Sequence, residues 1–303
     1  MERSSKLPTS EDAVREALAR NLDALSNPRV MLFGHLGLGD QISIAPAVED
    51  MAARVTEVLI PCKPRNATNL VEIFGYLENV RIVPLPSDSP RGEHLQVRFV
   101  AKRHGAKIYD SGRILYNAAC FAFPELGING RLLAGTLSNP QATTSLRLRS
   151  HLLEQSEACE PESTYVFVDH HPGTRREIPQ IHLNRLRERY PELVLNDPRV
   201  PLYRMGSLLD VAAELHLVSS APLCLSLSAD LGAAGSRWRY RVRDEAPLLL
   251  DYGVDWNEMR LDDGLNPQPV DRLLEFKTAS NIARQDDRVS IRNLFQEAME
   301  QVL

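Results

Sequence analysis

The residues with the means to do chemistry fall in four short stretches. In the first, Gly34-His35-Leu36-Gly37-Leu38-Gly39-Asp40, three glycines surround two titratable groups, His35 and Asp40, at the rim of one loop. Glycines let a ligand approach the backbone closely. A loop that opens a helix also turns backbone N–H groups toward an anion. The second stretch, Pro61-Cys62-Lys63-Pro64-Arg65-Asn66, sets two cations beside an amide. The third, Asp169-His170-His171-Pro172-Gly173-Thr174-Arg175-Arg176, is a charged loop with proline and glycine. The fourth is Glu214-Leu215-His216-Leu217-Val218-Ser219-Ser220-Ala221-Pro222, where serine followed by proline marks a helix start. Each has an ordinary reading on its own: Lys63 and Arg65 as solvated charges, Ser219-Ser220 as a plain cap, Asp40 as a capping carboxylate.

The first loop fails two familiar tests. A dinucleotide fingerprint needs a third glycine where Ile42 stands, and a carboxylate near Pro61-Cys62-Lys63. A phosphate loop needs Gly-Lys-Ser/Thr, which is absent.

The elements that must position these residues alternate. Val30–Phe33 predicts a buried strand, and Ile42, Ile44, Ala45, Ala47 and Val48 continue at helical spacing. Strands are expected at 55–60, 80–85 and 106–109, with a helix over Leu70, Ile73, Phe74 and Leu77 capped by Asn66 or Thr68. Another helix should end at Lys102-Arg103-His104-Gly105. The second half starts again, with strands at 165–168, 193–195, 215–218, 238–242 and 248–250, and helices at 183–190, 205–214 and from 219. A helix capped by Thr9 or Ser10 and a last one over 290–302 flank the chain, and Tyr116, Phe121 and Phe123 read as core. Such alternation means parallel sheets with right-handed crossovers, whose ligands sit beyond the C-terminal strand ends. The expected fold class is α/β, two Rossmann-like domains with a central cleft. A linker is placed around 150–162, giving domains at 1–155 and 156–303.

Composition narrows the function classes. At 303 residues the chain has room for about two domains. A net charge of −5 argues against a nucleic-acid binder and against a general membrane-surface binder. No apolar run approaches the ~20 residues of a spanning helix, and no signal-peptide core opens the sequence, so a cytoplasmic location is expected. Cys62, Cys120, Cys159 and Cys224 lie far apart and read as reduced thiols.

The hexapeptide His35–Asp40 with its apolar helix resembles the opening of bacterial GT-B glycosyltransferases. It is similar to the Gly-x-Gly-Asp start of the heptosyltransferases and to relatives that begin with this hexapeptide. Lys63-Pro64-Arg65-Asn66-Ala67-Thr68-Asn69 matches what those relatives carry after their second strand. Val166–Arg176 resembles their strand and Asp-Pro-x-Arg loop, Glu214–Ser220 their Glu-Ile-His-x-x-x-Ser-Ser segment, and Trp238-Arg239-Tyr240-Arg241 a later Tyr-x-Arg stretch. Asp169 stands where a histidine is common. The resemblance implies transfer of a hexose or heptose from a nucleotide-sugar to a glycan or other hydroxyl acceptor, in cell-surface polysaccharide synthesis. It implies an acceptor-binding N-terminal domain and a donor-binding C-terminal one. Asp40 would be the general base beside His35, with Gly37, Gly39, Lys63, Arg65 and Asn66 lining the substrate site. The donor would be held by Asp169, His170, Arg175 or Arg176, His216 and the Ser219-Ser220 helix start. No metal or cofactor is expected, and transient contact with a membrane surface is compatible with the acceptor class.

Two other classes compete. Asp169-His170-His171-Pro172 also resembles the signature of manganese-dependent DHH phosphoesterases, although Leu38 stands where their extra carboxylate belongs. A non-catalytic nucleotide-sugar-binding protein of the same fold is the third.

Overall fold

The computed structural model describes residues 19–21, 23–33, 36–88, 93–110, 144–156, 165–170, 177–218, 220–241, 257–262 and 266–269. Of the helix expected after Thr9 or Ser10, residues 19–21 and 23–25 are described and are helical; the expected helix at 290–302, the aromatic cluster at 116–123 and the strand at 248–250 lie outside the described residues. The chain divides into two compact units, the described residues up to 110 in one and those from 144 in the other.

In the first unit β1 (Arg29–Phe33) leads into two short helices, α1 (Leu38–Ile42) and α2 (Ala45–Ala52), where one was expected. Pro46 accounts for the break: it has no N–H to bond the carbonyl of Ile42, so the chain turns at Ser43-Ile44 and restarts. Next come β2 (Glu57–Cys62), a 3-10 turn (Pro64–Asn66), α3 (Ala67–Ile73), β3 (Val80–Pro84), α4 (Glu93–His104) and β4 (Lys107–Asp110). Gly105, at φ +64, ends α4 in the left-handed conformation that glycine adopts without a Cβ penalty. The sheet runs β3-β2-β1-β4, all parallel. Val30 to Phe33 and Val58 to Cys62 are buried, the continuous apolar run of a strand covered on both faces. The strand order reverses between β1 and β4, so this unit's topological switch point lies at the end of β1.

The second unit opens with α5 (Leu146–Gln155), whose second half overlaps the region expected as linker, 150–162. Leu148 and Leu152 are its buried face, and Ser145 Oγ caps it by accepting from Leu148 N at 2.9 Å. It packs on the 3-10 turn Leu202–Met205 and on α7 (Gly206–Asp210), so it belongs with the second unit. Between these lie β5 (Tyr165–Val168), α6 (Gln180–Arg189) and β6 (Glu192–Leu195). The helix expected over 205–214 stops at Asp210. Ala213 N bonds Tyr165 O, and the chain from Glu214 is drawn into the sheet as β7 (Glu214–Val218). Then follow α8 (Ala221–Ser228), β8 (Ser236–Arg241) and two strands the sequence did not suggest, β9 (Asn257–Asp262) and β10 (Asn266–Pro269). The order is β10-β9-β8-β7-β5-β6, parallel except for β10, and it reverses between β5 and β7. The α/β class with two parallel, Rossmann-like sheets therefore holds. Among the described residues no helix is long and apolar enough to cross a membrane.

Candidate functional site

At the first switch point, α1 begins on Gly37, whose backbone is extended and whose position needs no positive φ. Asp40 is the third residue of the helix, and its carboxylate folds back over the start of the first turn. A Cβ placed on Gly37 would come within 2.6 Å of Asp40 Oδ2. Glycine there is what lets the carboxylate lie against the main chain. Gly39 sits inside the same turn, and Asp40 is partly exposed. His35 lies outside the described residues.

The loops after β1 and β2 are stitched together. Gln41 Nε2 donates to Pro61 O at 2.6 Å, and the buried Asn66 donates from Nδ2 to Leu36 O at 3.4 Å. Asn66 thus braces the loop; its amide nitrogen is spent on the scaffold. Lys63 pairs with Glu93 at 3.1 Å, which answers its charge within the protein. Arg65 is exposed and pairs with no described residue. Of the three residues expected to bind substrate after β2, only Arg65 offers an unanswered charge.

At the second switch point one carboxylate ties three strands together. Asp169 follows β5 and is 0% exposed. Its Oδ1 accepts from Asn196 Nδ2, just after β6, at 2.7 Å, and its Oδ2 accepts from Ser220 Oγ, just after β7. Its backbone N–H donates to His216 O at 2.9 Å, and Asn196 N donates to Val168 O at 2.8 Å. A buried carboxylate is tolerated when both oxygens are hydrogen-bonded, and here they are. Ser220 occupies the N-cap position of α8, but its hydroxyl makes no cap hydrogen bond. The first N–H groups of α8 therefore lack a side-chain cap. His170 Nδ1 accepts from Ile178 N at 3.2 Å. Ser219, Arg175 and Arg176 lie outside the described residues.

His216, expected at the donor, is instead core: it is 2% exposed and both ring nitrogens have protein partners. Nε2 meets Glu214 Oε2 at 3.0 Å and Nδ1 meets Tyr240 Oη at 2.8 Å, while the ring stacks on Trp238. Tyr240 Oη also meets His182 Nε2, and Arg189 pairs with Glu214 Oε1 at 3.3 Å. Burial raises the Glu214 carboxyl, but hydrogen bonds from His216 and Tyr190 and the charge of Arg189 outweigh it and hold it below its ordinary range. Burial pushes His216 down, so the ring is neutral and its contact with Glu214 is a hydrogen bond. The chain lies in an apolar cluster with Val166, Val168, Ile178, Leu183, Leu186 and Val218.

Sequence reasoning missed Asn196, Tyr240 and His182. Two signals were there: polar residues at Glu214 and His216 in a buried apolar run, two apart and hence on one strand face, and an Asn directly after β6. Among the described residues, no group of three or more His, Cys, Asp or Glu could hold a metal ion. Both oxygens of Asp169 accept hydrogen bonds from the ends of neighbouring strands.

No protein-family model matches the chain, and no curated protein matches it. Solved structures do. A glycosyl transferase family 9 protein from Veillonella parvula aligns over 89% of this chain and 97% of its own at 11% identity, with a TM-score of 0.50. The E. coli ADP-heptose lps heptosyltransferase II aligns over 89% and 99%, also at 11% identity, with a TM-score of 0.44, and at that score the likeness carries no argument. The first likeness shows the fold, and at 11% identity the fold alone: this chain is built as the family 9 glycosyl transferase is built.

Proposed function

We propose that the chain is a glycosyltransferase that moves a sugar from a nucleotide-sugar to a hydroxyl acceptor without a metal. The observation that carries this reading is the second switch point. There Asp169 holds the ends of β5, β6 and β7 in one place, and Ser220 leaves the start of α8 without a side-chain cap. Backbone N–H groups at a helix start, together with Arg175 or Arg176, which follow Asp169 in the sequence, suit a diphosphate. The shared fold with a family 9 glycosyl transferase supports the same reading.

The first unit supplies the base. Asp40 takes the proton of the acceptor hydroxyl as that oxygen attacks the anomeric carbon. The bond from that carbon to the diphosphate breaks, and the nucleoside diphosphate leaves with the electron pair. Gly37 and Gly39 keep the main chain open to the acceptor, and Arg65 supplies a free charge beside it. The test is release of nucleoside diphosphate from a panel of ADP-, GDP-, UDP- and CDP-sugars, with and without EDTA. Release that persists in EDTA is expected. Release abolished by EDTA and restored by manganese would contradict the reading and revive a metal-dependent phosphoesterase.

A further inference from the structure

The buried chain from Glu214 to His182 has a direction, and the direction has a chemical result. Glu214 is a carboxylate and can only accept, so His216 donates to it through Nε2–H. A neutral His216 has one N–H, so its Nδ1 accepts, and Tyr240 gives its only proton there. The Tyr240 oxygen then accepts from His182 Nε2–H. His182 is neutral as well: burial, then His216 and Arg185, lower its pKa to about 4 against the pull of Glu214. A neutral ring that donates through Nε2 carries its lone pair on Nδ1, and that nitrogen has no hydrogen bond to any described residue. Of the ring nitrogens in the chain, this is the one left open.

Its place is as telling. His182 is the third residue of α6, four positions after Ile178, whose N–H donates to His170 Nδ1 just beyond β5. Tyr240 is in register with Val218, the last residue of β7, two residues before Ser220. The open nitrogen therefore belongs to the same C-terminal sheet end as Asp169 and Ser220. A polar chain through an apolar core is costly unless every member is satisfied, and here every ring nitrogen is satisfied except the outermost.

We propose that His182 is a recognition residue whose Nδ1 accepts a hydrogen bond from a hydroxyl of the nucleoside, with Tyr240, His216 and Glu214 as positioning residues that fix its tautomer. This rests on the second unit being the donor-binding one. A neutral acceptor gains nothing from a phosphate oxygen, so its partner is a donor group outside the diphosphate, and the hydroxyls are the donors that every nucleoside carries.

The test titrates ADP, GDP, UDP, CDP and inorganic pyrophosphate into the wild type, His182→Gln and Tyr240→Phe. Glutamine keeps an N–H donor for Tyr240 but has no acceptor at the Nδ1 position. A nucleoside diphosphate bound by the wild type should bind about five- to tenfold more weakly to His182→Gln, the worth of one neutral hydrogen bond. Pyrophosphate should not discriminate between the two. Ring nitrogen NMR should show the Nε2–H tautomer of His182 in the wild type and a mixture in Tyr240→Phe; if that variant fails to fold, His182→Gln carries the test alone. Equal nucleotide affinity in wild type and His182→Gln, an equal loss for pyrophosphate, or an Nδ1–H tautomer in the wild type overturns the proposal and leaves the donor reading standing. A wild type that binds none of the four nucleotides overturns both.

Discussion

The two switch points are built in opposite ways. At the first, the candidate chemical group is lightly held: Asp40 is partly exposed and lies over a glycine. At the second, the polar groups are sunk and mutually satisfied: Asp169 is 0% exposed and bonded on both oxygens, and His216 is 2% exposed and bonded on both nitrogens. A group that must exchange a proton has to be accessible, whereas a group that must hold a surface in shape does best buried and saturated. In the function proposed above, the first unit would contribute reactivity and the second a rigid seat.

The comparison can be broken by substitution. The largest expected effect is Asp40→Asn, which should lower turnover by ~10²–10⁴-fold, the usual worth of a general base, with the melting temperature unchanged. Full turnover in the folded variant would make Asp40 a structural residue only. Next is Asp169→Ala, which removes the acceptor of the Asn196 amide, leaves Ser220 Oγ only Val218 O at 3.1 Å, and opens a gap where a buried carboxylate joined three strand ends. It should cost about 3 kcal/mol, visible as a lower thermal midpoint; an unchanged midpoint would refute the bracing role.

Acid should act on the second unit through its histidines. Unfolded, His182 takes up a proton near the ordinary histidine value of 6.5; folded, it resists until about 4. The unfolded chain thus binds more protons in between, so stability is full above pH 6.5 and is lost as pH falls toward 4. His216, whose pKa is also lowered, adds in the same direction. Thermal midpoints at pH 7.5 and 5 should differ by several degrees, and His182→Gln should narrow the gap. The smallest effect is at Gly37→Ala. The added Cβ meets only the flexible end of Asp40, so stability should change by less than about 1 kcal/mol. Displacing that carboxylate should still lower turnover by about tenfold, one step of 1.4 kcal/mol.

Much of the fold could be read from the chain because parallel strands buried on both faces leave continuous apolar runs, as Val30–Phe33 and Tyr165–Val168 do. Asn257–Asp262 and Asn266–Pro269 leave no such mark. They are polar, and β10 carries two prolines at an edge, where a missing N–H is tolerated. Helix α5 was legible in Ser145, Leu148 and Leu152, but its polar neighbours made it look like a linker. For the site, the loops could be placed because their strands are parallel and all end on one side. Which polar residue would face solvent could not be placed. Asp169 is decided by partners 27 and 51 positions away, and His216 by a tyrosine 24 positions on, none of which local spacing encodes.

The claim that the second switch point seats a nucleotide is tested most directly by calorimetry. ADP, GDP, UDP and CDP would be titrated into the wild type, Arg175→Ala and Arg176→Ala. The account predicts that at least one nucleotide binds the wild type, and that one or both arginine variants weaken it by more than ~1 kcal/mol, since charge-assisted hydrogen bonds are typically worth ~1.5–3. Binding that neither substitution changes, or no binding by the wild type at all, would contradict it.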